Sequence, residues 1–168
     1  MEQTHQFCEA FGQHLTIDGY GCSREALGDL LGIYDFLFRA PGEINMTRIM
    51  PPHVMEYRPP PGRSLEEWGI SGFVIIAESH ISVHTYPDRR YLSLDLFSCK
   101  PFNVAEATQM VIDQFGIARV EVNLLDRGLE FPRNQAMVEK YLLAERGDTV
   151  AINSKFESNK EDHHEKYS

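Results

Sequence analysis

The fold is decided by residues 69–100, which read GISGFVIIAESHISVHTYPDRRYLSLDLFSCK. Three runs of aliphatic, aromatic and β-branched residues follow one another here, over residues 70–77, 80–86 and 91–98. Runs of this length and composition, bounded by turn-forming residues, are typical of β-strands. The segment therefore predicts three consecutive strands, the last two joined by a tight connection at residues 87–90.

The third run shows which face of the sheet could hold chemistry. Aliphatic residues alternate there with polar, aromatic and thiol residues: Leu92, Leu94 and Leu96 against Ser93, Asp95, Phe97 and Cys99. Because successive side chains of a strand point to opposite faces, one face is aliphatic and the other carries polar groups and a thiol. Chemistry is expected on that second face.

Outside this segment, two stretches have the three- and four-residue spacing of apolar side chains that predicts amphipathic helices. The first covers residues 26–38, with Ser23 as its N-cap and an end before Pro41-Gly42. The second covers residues 103–115 and is closed by Gly116. Both helices can bury one apolar side against the sheet.

Three further strands are predicted, over residues 13–20, 43–50 and 117–125. The proline clusters at 51–52 and 59–61 predict a loop between them, because proline cannot donate ladder hydrogen bonds. The order strand, helix, four strands, helix, strand predicts an α+β fold. It is a mainly antiparallel sheet with helices packed on one face, a two-layer α/β sandwich.

Length and charge limit the classes of protein to which the chain can belong. Its 168 residues predict one domain. Sixteen Lys and Arg against 25 Asp and Glu give a net charge of −9, which leaves no broad basic face for nucleic acid or anionic lipid. A cationic ligand suits this balance better. The longest apolar run is residues 73–77, so no membrane span is expected.

The three cysteines, Cys8, Cys22 and Cys99, are widely spaced and form no CxxC pair. An odd number in this pattern argues against both a disulfide framework and a thiolate zinc site. The first 25 residues lack the cationic start and apolar block of a signal peptide. These features predict a cytoplasmic protein.

The C-terminal part of the chain is expected to lie outside the main domain, which is assigned to residues 1–133. Apolar spacing over residues 134–145 predicts an amphipathic helix within a C-terminal segment of residues 134–152. Residues 153–168 have almost nothing to bury, which predicts a disordered tail.

Taken one at a time, the polar residues of the central segment assign no chemistry. On a strand, His80 and His84 would stand about 13 Å apart, too far to share a metal ion, so no metal site is expected. A lone cysteine such as Cys99 is commonly buried and inert. Neither Ser71 nor Ser79 lies in a GxSxG elbow, and no Walker loop, GxGxxG or HExxH occurs.

Taken together and in order, these residues form a recognisable set. Four motifs carry it: Gly69-Ile70-Ser71-Gly72, Glu78-Ser79-His80, His84-Thr85-Tyr86-Pro87 and Phe97-Ser98-Cys99. The set resembles the signature of the bacterial and archaeal S-adenosylmethionine decarboxylase proenzymes. The segment Gly12-Gln13-His14-Leu15, with Gly21-Cys22, is similar to the opening segment of that family. The resemblance covers roughly residues 11–131.

The resemblance implies that the chain cuts itself between Glu78 and Ser79, and that Ser79 becomes a covalent pyruvoyl group. The Ser79 hydroxyl would attack the preceding carbonyl, with Ser71 helping to hold the oxyanion. His84 would then take the α-proton of Ser79, so that elimination breaks the ester, and the resulting dehydroalanine would hydrolyse to the pyruvoyl group with loss of ammonia.

The same resemblance implies the activity of the cut chain. The pyruvoyl group would act as the electron sink when CO₂ leaves the substrate, and Cys99 would reprotonate the product carbon. The product, decarboxylated S-adenosylmethionine, serves spermidine synthesis. A homodimer of processed protomers is implied, in which two sheets pair into a four-layer sandwich.

Substrate choice stays open at this point. Asp88 stands where family members that bind S-adenosylmethionine usually have glutamate, and Tyr57, His53 or Trp68 is a candidate stacking surface. Pyruvoyl enzymes of this fold also act on arginine or ornithine, which gives a second hypothesis. A third is a non-catalytic paralogue that acts as a binding partner.

Overall fold

A single six-stranded sheet dominates the part of the chain that the computed structural model describes, residues 10–64, 67–129 and 131. The strands are β1 Gly12–Tyr20, β2 His53–Tyr57, β3 Gly69–Ile76, β4 Ser79–Tyr86, β5 Tyr91–Ser98 and β6 Arg119–Arg127. Their order across the sheet is β2-β3-β4-β5-β1-β6, and every neighbouring pair is antiparallel. The predicted α+β fold with an antiparallel sheet is confirmed.

Three α-helices accompany the sheet within the described residues: α1 Arg24–Gly28, α2 Leu30–Glu43 and α3 Val104–Phe115. Ser23 caps α1 as predicted, and its hydroxyl accepts the Ala26 N–H at 3.2 Å. Asn103 caps α3 by accepting two backbone N–H groups. Gly116, with φ of 58°, closes α3 in the left-handed conformation that glycine adopts without strain.

The prediction of one helix ending before Pro41 is wrong in two respects. The helix is interrupted at Asp29, which is extended and caps α2 by accepting the Gly32 N–H at 3.0 Å. It then continues through Pro41 to Glu43. Proline removes one N–H there, but Met46 still donates to the Pro41 carbonyl at 2.7 Å, so the last turn remains closed.

The prediction of a strand over residues 43–50 and a loop over residues 51–62 is also wrong. Only an isolated bridge between Arg48 and Ile76 forms in the first stretch, and β2 forms in the second. The proline clusters flank β2 instead of interrupting it, and its edge position tolerates prolines next to its ends. Strand β6 begins two residues later than predicted, because Ala118 belongs to the turn after α3.

The core lies between the sheet and the helices. The predicted alternation in β5 is confirmed: Leu92, Leu94 and Leu96 are buried. They join a cluster in which Phe36 of α2 meets Phe115 of α3, edge to face, with ring centroids 5.3 Å apart. The opposite side of the sheet is called the polar face below, and it carries side chains such as His14, His80, His84, Asp95 and Phe97.

The predicted helix at 134–145 and tail at 153–168 lie outside the described residues. None of the helices within the described ranges is long and apolar enough to cross a membrane.

Thr85, in the HTYP motif, is expected to contribute to the stability of the fold through its hydroxyl group. Its hydroxyl is buried, accepts the Ile70 N–H at 3.0 Å and donates to the Leu27 carbonyl at 2.9 Å. We expect Thr85→Val to lower the free energy of unfolding by about 1–3 kcal/mol, since both backbone groups lose a buried partner.

Chemical denaturation of the two variants measures this effect. Thr85→Ser is the matched control, because it keeps the hydroxyl and loses only a methyl group. A valine variant at least as stable as the serine variant would contradict this role of the hydroxyl.

Candidate active site

The predicted cleavage point lies where the β3–β4 hairpin enters β4. Ser79 is the first residue of β4 and pairs with Ile76 on one side and Ser98 on the other. The Glu78 carbonyl accepts the Cys99 backbone N–H at 3.0 Å, and the Glu78 carboxylate accepts the Thr47 N–H at 3.0 Å. The carbonyl that Ser79 would attack is therefore already polarised by a donor.

The backbone of Ser79 is strained. Its φ of 149° lies in a region that residues with a Cβ rarely occupy and that costs about 1–3 kcal/mol. Pairing to both neighbouring strands holds the residue in this conformation. The strain therefore sits at the peptide bond that the resemblance marks for cleavage.

Cys99 follows β5 and lies directly beside this peptide bond. Its backbone N–H reaches the Glu78 carbonyl, and its side chain is exposed, unlike the buried Cys22. The expectation of a buried side chain for a lone cysteine therefore does not hold for Cys99. An exposed thiol is open to proton exchange, and the Cys99 backbone lies next to the residue that would become the cofactor. Glu78, Ser79 and Cys99 are called the cleavage half-site below.

Ser71 and His84 form a second group. They face each other across β3 and β4, with the Ser71 Oγ 2.8 Å from the His84 Nδ1. The pair lines a cavity of about 320 Å³. Its other lining residues are Tyr57, Glu67, Gly69, Thr85 and Tyr86. Ser71, His84 and Tyr57 are called the histidine half-site below.

The two half-sites are not in contact within one chain. Ser79 and His84 are five residues apart on the same extended strand, which corresponds to about 16 Å. Ser71 is bound to His84 and so lies at the far end of β4 from the Glu78 carbonyl. The structure brings Ser79 together with Cys99, and Ser71 together with His84, but it does not bring these pairs to each other.

Asp88 and Trp68 lie together in a different cavity, of about 450 Å³, whose other lining residues are Arg24, Arg58 and Pro59. The Asp88 carboxylate accepts two hydrogen bonds from Arg24, at 2.8 and 2.6 Å, and one from the Trp68 indole at 2.7 Å. These bonds, Arg24 first, lower the pKa of Asp88. Sequence reasoning missed Arg24, because it lies 64 residues away and in no motif.

A histidine cluster next to the cleavage half-site was also missed. The His14 Nε2 lies 3.1 Å from the Asp95 carboxylate, and the Phe97 ring lies between His14 and His80, with centroids 5.8 and 6.0 Å away. Both histidines stand in the quoted motifs, so the signal was present. Only the strand register shows that they share a face next to Ser79.

The chain is similar in sequence to several known proteins. The model of the family described as S-adenosylmethionine decarboxylase matches residues 13–128. The S-adenosylmethionine decarboxylase proenzyme of Thermococcus kodakarensis is 32% identical over 73% of this chain and 80% of that protein. The corresponding protein of Moorella thermoacetica is 30% identical over 77% of this chain and 97% of its own.

A solved structure agrees with the sequence comparison. The crystal structure of the adenosylmethionine decarboxylase from Aquifex aeolicus superimposes with a TM-score of 0.62 at 28% identity. The match covers 76% of this chain and 99% of that one. With the family model spanning most of the sheet and both half-sites, the chain belongs to the S-adenosylmethionine decarboxylase family.

Proposed function

We propose that the chain is a proenzyme that cuts itself between Glu78 and Ser79, turns Ser79 into a pyruvoyl group and then decarboxylates S-adenosylmethionine. The observation that carries the proposal is the Glu78–Ser79 peptide. It is strained at Ser79, its carbonyl accepts the Cys99 N–H, and the Ser79 hydroxyl is the adjacent nucleophile. Relatives named as proenzymes support self-cleavage as the route.

The residues present fit a pyruvoyl group at position 79. Once the bond is cut, residue 79 begins the second chain on β4, between Ile76 and Ser98, with Cys99 beside it. The group supplies an electron-withdrawing carbonyl that takes up the electron pair released with CO₂. The exposed Cys99 thiol is the proton donor that this site offers.

A homodimer would complete the site. In an isologous pair, the two sheets face each other, and the two-fold axis passes near Ser82 of β4. The β4 strands of the two protomers then lie over each other and run in opposite directions. This arrangement places Ser79 and Cys99 of one protomer opposite the partner subunit's His84. The 16 Å separation within one chain is then no obstacle, because each site takes one half from each protomer.

The cavity at the histidine half-site suits this substrate. S-adenosylmethionine combines a sulfonium cation with an aromatic base, and the cavity is lined by Tyr57, Tyr86 and Glu67, whose carboxylate lies 3.8 Å from Arg63. Aromatic faces and a carboxylate attract such a cation. The Asp88 carboxylate already accepts hydrogen bonds from Arg24 and Trp68, so it can bind the substrate only in addition to these two partners.

The cellular setting follows from the same proposal. The product would be the aminopropyl donor for spermidine. Free thiols at Cys22 and Cys99 agree with a reducing compartment, and we place the enzyme in the cytoplasm.

An intact-mass spectrum of the freshly purified protein tests the proposal. We expect two chains, residues 1–78 and 79–168, the second lighter by one ammonia than a chain beginning with serine. Decarboxylation assays with S-adenosylmethionine, arginine and ornithine then identify the substrate. A single uncut mass would overturn the proposal and favour the non-catalytic paralogue, and activity on arginine or ornithine alone would overturn the substrate.

A further inference from the structure

His80 is the one residue of the Glu78-Ser79-His80 motif to which the reaction described so far gives no part. Its Nδ1 lies 3.5 Å from the Ser79 Oγ, the atom that attacks the Glu78 carbonyl. Contacts of this kind are often long before a reaction begins and shorten as it proceeds. His80 is therefore in reach of the hydroxyl proton that has to leave for the attack.

His84 cannot take this proton within the same chain. It lies about 16 Å along β4 from Ser79, and its Nδ1 is engaged by the Ser71 hydroxyl at 2.8 Å. The expected task of His84, removal of the α-proton, belongs to a later step. The first step, transfer of the Glu78 acyl group from nitrogen to oxygen, starts at the Ser79 hydroxyl, and His80 of the same chain is the histidine in contact with that atom.

The surroundings of His80 keep its imidazole neutral. On β3 its partner is the apolar Ile75, and on β5 the Phe97 ring covers it. Burial lowers the pKa of His80 below 6.5, and the charges of His14 on β1 and Arg127 on β6 lower it further, while Asp95 on β5 raises it. A neutral imidazole at neutral pH can accept a proton.

We infer that His80 is the base for self-cleavage, accepting the Ser79 hydroxyl proton on Nδ1 as Oγ attacks the Glu78 carbonyl. This inference rests on the proposed cleavage at Glu78–Ser79. As the C–N bond breaks and the ester forms, His80 returns the same proton to the leaving Ser79 nitrogen. The step consumes no net proton, and the Cys99 N–H on the Glu78 carbonyl stabilises the oxyanion between the two transfers.

The test follows the cleavage of newly synthesised full-length chain in a cell-free reaction, by intact mass, over a series of pH values. We expect His80→Ala to slow cleavage by at least about 100-fold, within the range that a general base contributes. His80→Asn, which keeps an acceptor but not a base, should be equally slow. Added imidazole should accelerate the alanine variant and leave the wild type unchanged.

The pH profile gives a readout that a purely structural role would not change. Wild-type cleavage should slow as the pH falls through the lowered pKa of His80, below 6.5, and the alanine variant should lack this acid limb. His163→Ala is the matched control, because His163 lies outside residues 13–128, which match the family model, and its loss should leave cleavage unchanged.

Three results would overturn the role of His80: an asparagine variant that is cut at the wild-type rate, an alanine variant cut at that rate, or wild-type cleavage that is independent of pH. Thermal melts of the variants separate slow cleavage from misfolding, and if neither variant folds, His80→Gln takes their place in the same assays. A wild-type chain that stays uncut contradicts the proposed function itself, and the assignment of His80 falls with it.

Discussion

Replacement of Ser79 by alanine is expected to leave a single uncut chain and to reduce decarboxylation to the uncatalysed background, a loss of at least about a millionfold. Without the hydroxyl, no atom attacks the Glu78 carbonyl, and without the pyruvoyl group no electron sink exists for the departing CO₂. Intact mass and CO₂ release from carboxyl-labelled substrate measure the two effects on the same sample.

Ser64→Ala is the control for this experiment, because it removes an exposed serine hydroxyl from the loop between β2 and β3. It should be cut and active like the wild type. Decarboxylation that persists in the uncut Ser79→Ala chain would exclude a pyruvoyl mechanism.

The second large effect is the recovery of decarboxylation activity when two inactive variants are co-expressed. Cys99→Ala and His84→Ala should each lower decarboxylation by at least about 100-fold, because each removes a proton-transfer group. Co-expressed, they should regain about a quarter of wild-type activity. Random pairing makes half of the dimers mixed, and one of the two sites in each mixed dimer then carries no substitution.

The control pair is Cys99→Ala with Ser79→Ala. Both substitutions lie in the cleavage half-site, so every site of a mixed dimer remains defective and no activity should return. Failure of the first pair to regain activity, or equal recovery by the control pair, would contradict a site shared between protomers. Purification of mixed dimers through two different affinity tags sharpens the comparison.

The elements that could be predicted are those with local signals. The strands of residues 69–100 follow from the composition of each run and, in the third run, from alternation. The Ser23 cap follows from a side chain bonding its own helix. The break at Asp29 had the same kind of signal, an aspartate after a glycine, but the unbroken apolar spacing concealed it. Strand β2 had no local signal in the sequence. It is an edge strand between two proline clusters, and it forms because it pairs with β3.

The residues of the candidate site could be predicted from the sequence, but their arrangement could not. Ser71, Ser79, His84 and Cys99 were identified by resemblance to a family, and their individual roles remain predictions. Their arrangement as two half-sites depends on strand register, which pairs Ser71 with His84 and Ser79 with Ser98. The bond from the Cys99 N–H to the Glu78 carbonyl was not predictable either, since a backbone donor leaves no trace in residue identity.

The positive φ of Ser79 has a consequence for the order of events in the life of this chain. Only the assembled sheet holds Ser79 in that conformation, so a chain still emerging from synthesis does not present the reactive peptide. Cutting would release about 1–3 kcal/mol of strain, and the loss of ammonia from residue 79 would leave no amine to re-form the peptide bond. Maturation would then run in one direction, and the presence of the cofactor would record that the molecule carrying it has folded correctly.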